Sequence, residues 1–156
     1  MLFGRRIKQP RLVAWAGDLE YRYSGQTLEA RPWGSALATV RARVNEHTGV
    51  AFNHVLLNRY RDGNDSMGLH ADDEPELGRE PSVASVSLGA TRRFVLVPRR
   101  GSSGRVEIPL EHGSLLVMRG ACQREYRHGI PKGPKAVAER VSLTFRMLLA
   151  APGEAR

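Results

Sequence analysis

The spacing of apolar residues changes character along this chain, from alternation to a helical period and back to alternation. Residues 19–24, LEYRYS, alternate and predict a strand that puts Tyr21 and Tyr23 on one face and ends at Gly25, with a short strand over RLVAW (11–15) ahead of it. From Pro32 the residues Trp33, Leu37, Val40 and Val44 recur at helical spacing, Pro32 suits a first turn, and Gly49 can stop the helix. Alternation then returns at AFNHVLLNRY (51–60), SVASVSL (82–88), RRFVLVP (92–98), RVEIPL (105–110), GSLLVMR (113–119) and RVSLTFRMLL (140–149). A turn at RDGND (61–65) and a loop at RRGSSG (99–104) punctuate these segments. Many short strands with Gly-containing turns predict a mainly β (α+β) sandwich or barrel supported by one helix. There is no internal repeat, heptad or low-complexity block, and the tail APGEAR is expected to be loose.

Length and charge narrow the picture. The 156 residues fit one domain and hence one site. The formal charge is +8, and of 24 basic residues only Lys8, Lys132 and Lys135 are lysines. An arginine bias of this size suits recognition of phosphate or carboxylate, the alternative being GC-rich coding. Acids are segregated: residues 61–80 hold seven against Arg61 and Arg79, whereas residues 91–105 hold five arginines and no acid. The single cysteine, Cys122, rules out an intramolecular disulfide framework. No apolar run approaches the ~18 residues of a membrane helix, and the opening MLFGRRIKQPRLVAW lacks the apolar core of a secretory signal. These features lead to an expected cytoplasmic (nucleoid-associated) or nuclear location.

Candidate chemistry centres on GLHADDE (68–74). If residues 69–73 are extended, His70 and Asp72 project from one face and offer an imidazole and a carboxylate to a common point. A third ligand would come from His47, His54, His112 or His128, of which His128, beside Gly129 in YRHGI, is the best placed. Two histidines and one carboxylate suit non-haem Fe(II), while a lone H-x-D is equally a surface ion pair. In RVSLTFR (140–146), Arg140, Ser142, Thr144 and Arg146 share one strand face and Val141, Leu143 and Phe145 the other. That polar face is either solvated or, inside a small barrel, built for an anionic guest such as a dicarboxylate. Asn58 and Tyr60 share a strand face and add neutral donors.

Taken in order, YRYSG (21–25), NRYRDG (58–63), HADDE (70–74), SVSLGA (85–90), EHGSLLVM (111–118), HGI (128–130) and RVSLTFR (140–146) resemble the AlkB-type Fe(II)- and 2-oxoglutarate-dependent dioxygenases. The arrangement is most similar to the branch that repairs alkylated double-stranded DNA. The resemblance implies a double-stranded β-helix (jelly-roll) core with one N-terminal supporting helix, in a single domain over residues 1–156. Residues 1–31 would then form a nucleotide-recognition segment and 51–149 the catalytic core. It implies Fe(II) on His70, Asp72 and His128. Around 2-oxoglutarate it implies Asn58, Tyr60, Arg140, Thr144 and Arg146, with Arg140 on the distal carboxylate and Arg146 nearer the metal-chelating end. The implied reaction consumes O2, converts 2-oxoglutarate to succinate and carbon dioxide, and hydroxylates an N-methyl group that is then shed as formaldehyde.

The implied substrates are N1-methyladenine and N3-methylcytosine, which are cationic, so the acidic island gains a purpose: Asp73 and Glu74 would favour a flipped, positively charged base. Tyr21, Tyr23 and Ser24 match the segment that lines the base pocket, with Tyr23 expected to face His70 across the base. Phe3, in LFG, resembles an apolar finger that fills the gap left in a duplex, and many relatives carry more sequence before it. Trp15 stands where a tyrosine would be expected. The expected partner of the monomeric chain is alkylated DNA, with no membrane. The alternatives are an AlkB-like dioxygenase for RNA or single-stranded DNA, and a catalytically silent basic nucleic-acid-binding domain. The denser H-x-H ligand pattern of cupin metal sites is absent.

Overall fold

The computed structural model describes residues 10–23, 25–101 and 104–150. In chain order the strands are β1 (Leu12–Gly17), β2 (Tyr21–Tyr23), β3 (Gln26–Leu28), β4 (His54–Tyr60), β5 (Met67–His70), β6 (Val83–Gly89), β7 (Arg92–Pro98), β8 (Val106–Leu110), β9 (Leu115–Met118), β10 (Tyr126–Ile130) and β11 (Arg140–Arg146). The helices are α1 (Ser35–Thr48) and the single turn α2 (Cys122–Glu125).

Two antiparallel sheets face each other. One runs β1-β4-β11-β6-β9 and the other β5-β10-β7-β8, with β2-β3 a separate hairpin closed at Gly25. Strand β11 lies at the centre of the larger sheet because both of its faces are used. Val141, Leu143 and Phe145 turn outward to meet Phe52, Val55 and Ala84, and α1 covers them with Leu37, Val40 and Val44. Phe145 is fully buried there, a burial worth about 1.5–3 kcal/mol. On the inner face Arg140, Ser142 and Arg146 are buried between the sheets. The inner layer is completed by Tyr60, Val83, Phe94, Leu110, Met118 and Ile130, drawn from both sheets. This is a jelly-roll core. Among the described residues no helix is long and apolar enough to cross a membrane.

Several boundaries differ from the sequence expectation. The helix starts at Ser35 behind an extended Gly34, so neither Pro32 nor Trp33 belongs to it. Trp33 keeps helical spacing for another reason: its indole stacks on Phe145 and its N–H donates to Asp18 at 2.7 Å, which plugs the sheet edge before the helix begins. Gly49 does end the helix, in the left-handed conformation at φ 69°. Residues 51–53 precede β4 rather than belonging to it, and residues 147–149 lie beyond β11. The segment 12–17, assigned to nucleotide recognition from sequence, is also the edge strand of the catalytic sheet, paired along its length with β4.

Candidate active site

Strand register creates the metal cluster. His128 on β10 lies directly opposite His70 on β5, and their ring centroids are 4.4 Å apart. Gly129 permits the approach, because a Cβ there would sit 2.7 Å from the Met67 carbonyl. The pairing bulges between His128 and Ile130. Asp72 reaches the same point by a route other than simple strand alternation, since β5 ends at His70. Its backbone N–H donates to Oε1 of the buried Gln123 on α2 at 2.9 Å, which fixes the chain after the strand.

The three ligand atoms lie within 4.8 Å of one another. Asp72 Oδ1 is 3.9 Å from His70 Nε2, and Oδ2 is 3.6 Å from His128 Nε2. Each group is prepared to donate a lone pair. His70 Nδ1 donates to the Gly68 carbonyl at 2.9 Å, which fixes the ring with Nε2 toward the cluster. Burial lowers the His128 pKa to about 4, which keeps that ring neutral. Burial alone would push the Asp72 carboxyl up, but the Arg146 guanidinium, by its charge and its hydrogen bond, more than reverses this and holds it low. Arg146 Nη2 donates to Asp72 Oδ1 at 2.7 Å, while Oδ2 has no hydrogen-bond partner. One carboxylate oxygen is therefore committed to the protein and the other is available to an ion. Of the remaining sequence candidates, His47 bonds Arg43 O, His112 accepts from Gly89 N–H, and His54 stands on β4 outside the cluster.

The same cavity is lined by Asn58, Tyr60, Arg140, Ser142, Thr144 and Arg146. Arg140 is 1% exposed and lies over the Tyr60 ring at 5.3 Å. Its Nη2 donates to Ser87 Oγ at 2.8 Å, but Nε and Nη1 have no partner, and no carboxylate pairs with it among the described residues. Arg146 also retains unpartnered Nε and Nη1 atoms. Burial opposes its charge, and Asp72 more than compensates. The donor set fits the expected groups: two histidines and a free carboxylate oxygen suit Fe(II) with open positions, and the buried Arg140 guanidinium, with no carboxylate partner among the described residues, suits a carboxylate ligand.

Three supporting residues were not singled out from sequence. Gln123 fixes Asp72. Arg11 donates from Nε to Asn58 Oδ1 at 2.7 Å and reaches the Tyr23 hydroxyl at 3.4 Å. Arg92, 4% exposed, binds the carbonyls of Asp62, Asp65 and Pro131 at 3.1, 2.8 and 2.9 Å, clipping the 61–65 turn to the end of β10.

The residues expected around a base fall into two groups. Tyr21 and Tyr23 are buried with Leu28, Leu56, Leu77 and Leu148, and both rings lie near Arg146, at 5.9 and 5.7 Å. Asp73 and Glu74 follow the metal ligand directly. Asp73 is exposed and paired with Arg99, whereas Glu74 is partly buried, and burial pushes its carboxyl up. Trp15 donates its indole N–H to Glu29 O at 2.9 Å and carries Arg31 on its face. Ser24 and Phe3 lie outside the described residues.

Behind this group, His54 is fully buried against Tyr21, and neither ring nitrogen has a partner. Burial, then Arg146, lowers its pKa to about 3. The folded pKa is below the unfolded value, so its contribution to stability is intact above pH ~6.5 and is lost as pH falls toward 3. His54→Phe is expected to remove this loss. Relative to native, the variant should gain about 2 kcal/mol on going from pH 8 to pH 5, as measured by urea denaturation. An identical difference at both pH values would contradict a buried neutral imidazole.

The family described as the 2OG-Fe(II) oxygenase superfamily matches residues 4–146. Alpha-ketoglutarate-dependent dioxygenase alkB homolog 3 of Homo sapiens is 46% identical over 154 residues, covering 93% of this chain and 54% of that protein. DNA oxidative demethylase ALKBH2 of Homo sapiens is 44% identical over 157 residues, covering 95% and 60%. The chain thus spans about half the length of the curated relatives it matches. The solved structure of OsALKBH1 shares the fold, with a TM-score of 0.63 at 20% identity over 92% of this chain and 82% of that one. The matched segment runs through every residue of the metal cluster to the end of β11, and the chain belongs to the 2OG-Fe(II) oxygenase superfamily, with AlkB homologs among its relatives.

Proposed function

We propose that this chain removes alkyl groups oxidatively from DNA bases, N1-methyladenine and N3-methylcytosine among them, using Fe(II), O2 and 2-oxoglutarate and releasing succinate, CO2 and formaldehyde. The observation that carries this reading is one cavity lined both by the His70, Asp72, His128 cluster and by Arg140, whose Nε and Nη1 are unpartnered. The names of the human relatives, a dioxygenase and a DNA demethylase, support it.

His70, Asp72 and His128 would hold the iron, which when bound supplies activation of O2 for oxidation of a methyl group. Arg140 would take the distal carboxylate of 2-oxoglutarate through Nε and Nη1, with Ser87 and the Tyr60 ring fixing its plane. Arg146 keeps Asp72 ionised and oriented at the other end of β11. Thr144 lines the wall between the arginines, and Tyr60 and Asn58, on the neighbouring strand β4 of the same sheet, line it alongside. Because Arg11 occupies Asn58 Oδ1, the amide N–H2 is turned away as a donor to an anion. Arg11→Ala is therefore expected to weaken 2-oxoglutarate binding by about 5–10-fold, the loss of one oriented hydrogen bond, in a calorimetric titration with Mn(II) in place of iron. Unchanged affinity would contradict that role.

Burial pushes the Glu74 carboxyl up against the opposing pull of Arg146, and a cationic methylated base beside it would favour its charged form. Tyr21, Tyr23 and Ser24 would border that base, and Asp73 would add a second carboxylate. The arginine-rich surface would hold the phosphate backbone.

The test is formaldehyde release from methylated oligonucleotides offered as single strands, as duplexes and as RNA. Release from methylated DNA supports the proposal; release from RNA alone would favour the RNA-acting alternative. Phe3→Ala separates strand preference. A duplex finger predicts a loss on duplex that exceeds the loss on single strand, because only a duplex leaves a gap to fill after base flipping. Equal losses would reject the finger.

A further inference from the structure

Two basic clefts adjoin each other beside α2. Arg99, Arg100, Arg124 and Glu125 line one of about 420 Å³, and Arg79, Glu80 and Arg124 line its neighbour of about 630 Å³. Arg124 is shared and pinned between Glu80 at 2.8 Å and Glu125 at 3.0 Å. Arg99 is anchored by its backbone N–H to Glu125 O at 2.8 Å, and its guanidinium pairs with Asp73. Arg100 pairs with no acid among the described residues.

The Arg99–Asp73 pair connects this cleft to the metal site, because Asp73 is the residue after the ligand Asp72. Its side chains are 36% and 56% exposed, so water and salt screen it, and a better partner for either member can displace the other. A phosphodiester is such a partner for Arg99: it matches the guanidinium fork, and Arg100, which pairs with no acid among the described residues, supplies further positive charge. Displacement leaves Asp73 as an exposed carboxylate one residue after the ligand Asp72 in the chain.

We infer that the Arg99, Arg100, Arg124 cleft is a phosphodiester subsite and that Arg99 and Asp73 form an exchangeable latch. A backbone phosphate takes Arg99, and the freed Asp73 then favours a cationic base. The inference rests on the demethylase reading for the identity of the base, and on the cleft alone for the phosphate.

The test is fluorescence anisotropy with the full chain without iron, using short single-stranded oligonucleotides with or without one N1-methyladenine, over a range of salt. Arg99→Ala should weaken binding of both about 3–10-fold and reduce the salt slope by about 0.7, one phosphate on a single strand. Asp73→Asn should tighten the unmodified oligonucleotide severalfold, because Arg99 loses its internal competitor, and should reduce the preference for the methylated one. The double variant should show no such gain over Arg99→Ala, and that non-additivity is the signature of exchange. Additive effects, or a native salt slope in Arg99→Ala, would overturn the latch. Inorganic phosphate at constant ionic strength should compete with the oligonucleotide in the native protein and less in Arg99→Ala; equal competition would mean general screening and overturn the subsite. The two readings fail separately. The binding pattern without formaldehyde from any methylated oligonucleotide would sink the demethylase and leave the subsite, whereas formaldehyde release with additive variants would do the reverse.

Discussion

Asp72→Ala will abolish turnover and also destabilise the metal-free protein by about 3–5 kcal/mol, whereas His70→Ala will abolish turnover at a cost below about 1 kcal/mol. The difference follows from what each side chain holds. Asp72 is fully buried and is the ion-pair partner of Arg146, itself 2% exposed, so its removal leaves a guanidinium inside the barrel with no counter-charge. His70 is only partly buried and makes one side-chain bond, to the Gly68 carbonyl. A typical domain has about 5–15 kcal/mol in total, so the aspartate variant loses a large part of its margin. Urea denaturation in the presence of a chelator measures both. Equal midpoints for the two variants would show that the Arg146–Asp72 pair contributes nothing without metal.

Arg140→Met should have the opposite effect on stability. Arg140 is buried with one hydroxyl partner and one aromatic face, and among the described residues no carboxylate offsets its desolvation. An apolar chain of similar length should leave the metal-free protein at least as stable and should weaken 2-oxoglutarate binding by about 10²–10⁴-fold, the loss of two charge-assisted hydrogen bonds at about 1.5–3 kcal/mol each. Thermal melting and titration with Mn(II) and 2-oxoglutarate give the two numbers. A variant that binds 2-oxoglutarate normally would remove Arg140 from the co-substrate site. One that is strongly destabilised would mean that the guanidinium supports the fold.

The sequence was most informative where a short period carried the information. RVSLTFR alternates without a break because β11 is buried on both faces, so its polar residues had to meet each other or a guest. GLHADDE and YRHGI could be paired because few histidines compete and a glycine follows His128. The helix start was misread because Trp33 has the right spacing for α1 but packs on Phe145 from outside it. Strand β5 was not marked, since four residues with an intermediate-exposed-exposed-intermediate pattern give little period to detect. Gln123 and Arg11 were not legible at all. They act on Asp72 and Asn58 across 51 and 47 residues, and neither has a local pattern that reports such a distant contact. Arg92 has no legible signal either, because its three acceptors are backbone carbonyls, which no side-chain motif encodes.

The central claim joins the metal cluster to the arginine cavity in one reaction, and the most direct test is stoichiometry. Native protein should be given Fe(II), O2, 2-oxoglutarate and a DNA oligonucleotide containing N1-methyladenine, and succinate and formaldehyde measured together. The demethylase reading predicts equal amounts of the two, both lost when the methyl group, the iron or the co-substrate is omitted. Succinate that forms at the same rate without the methylated base, with no formaldehyde, would contradict it.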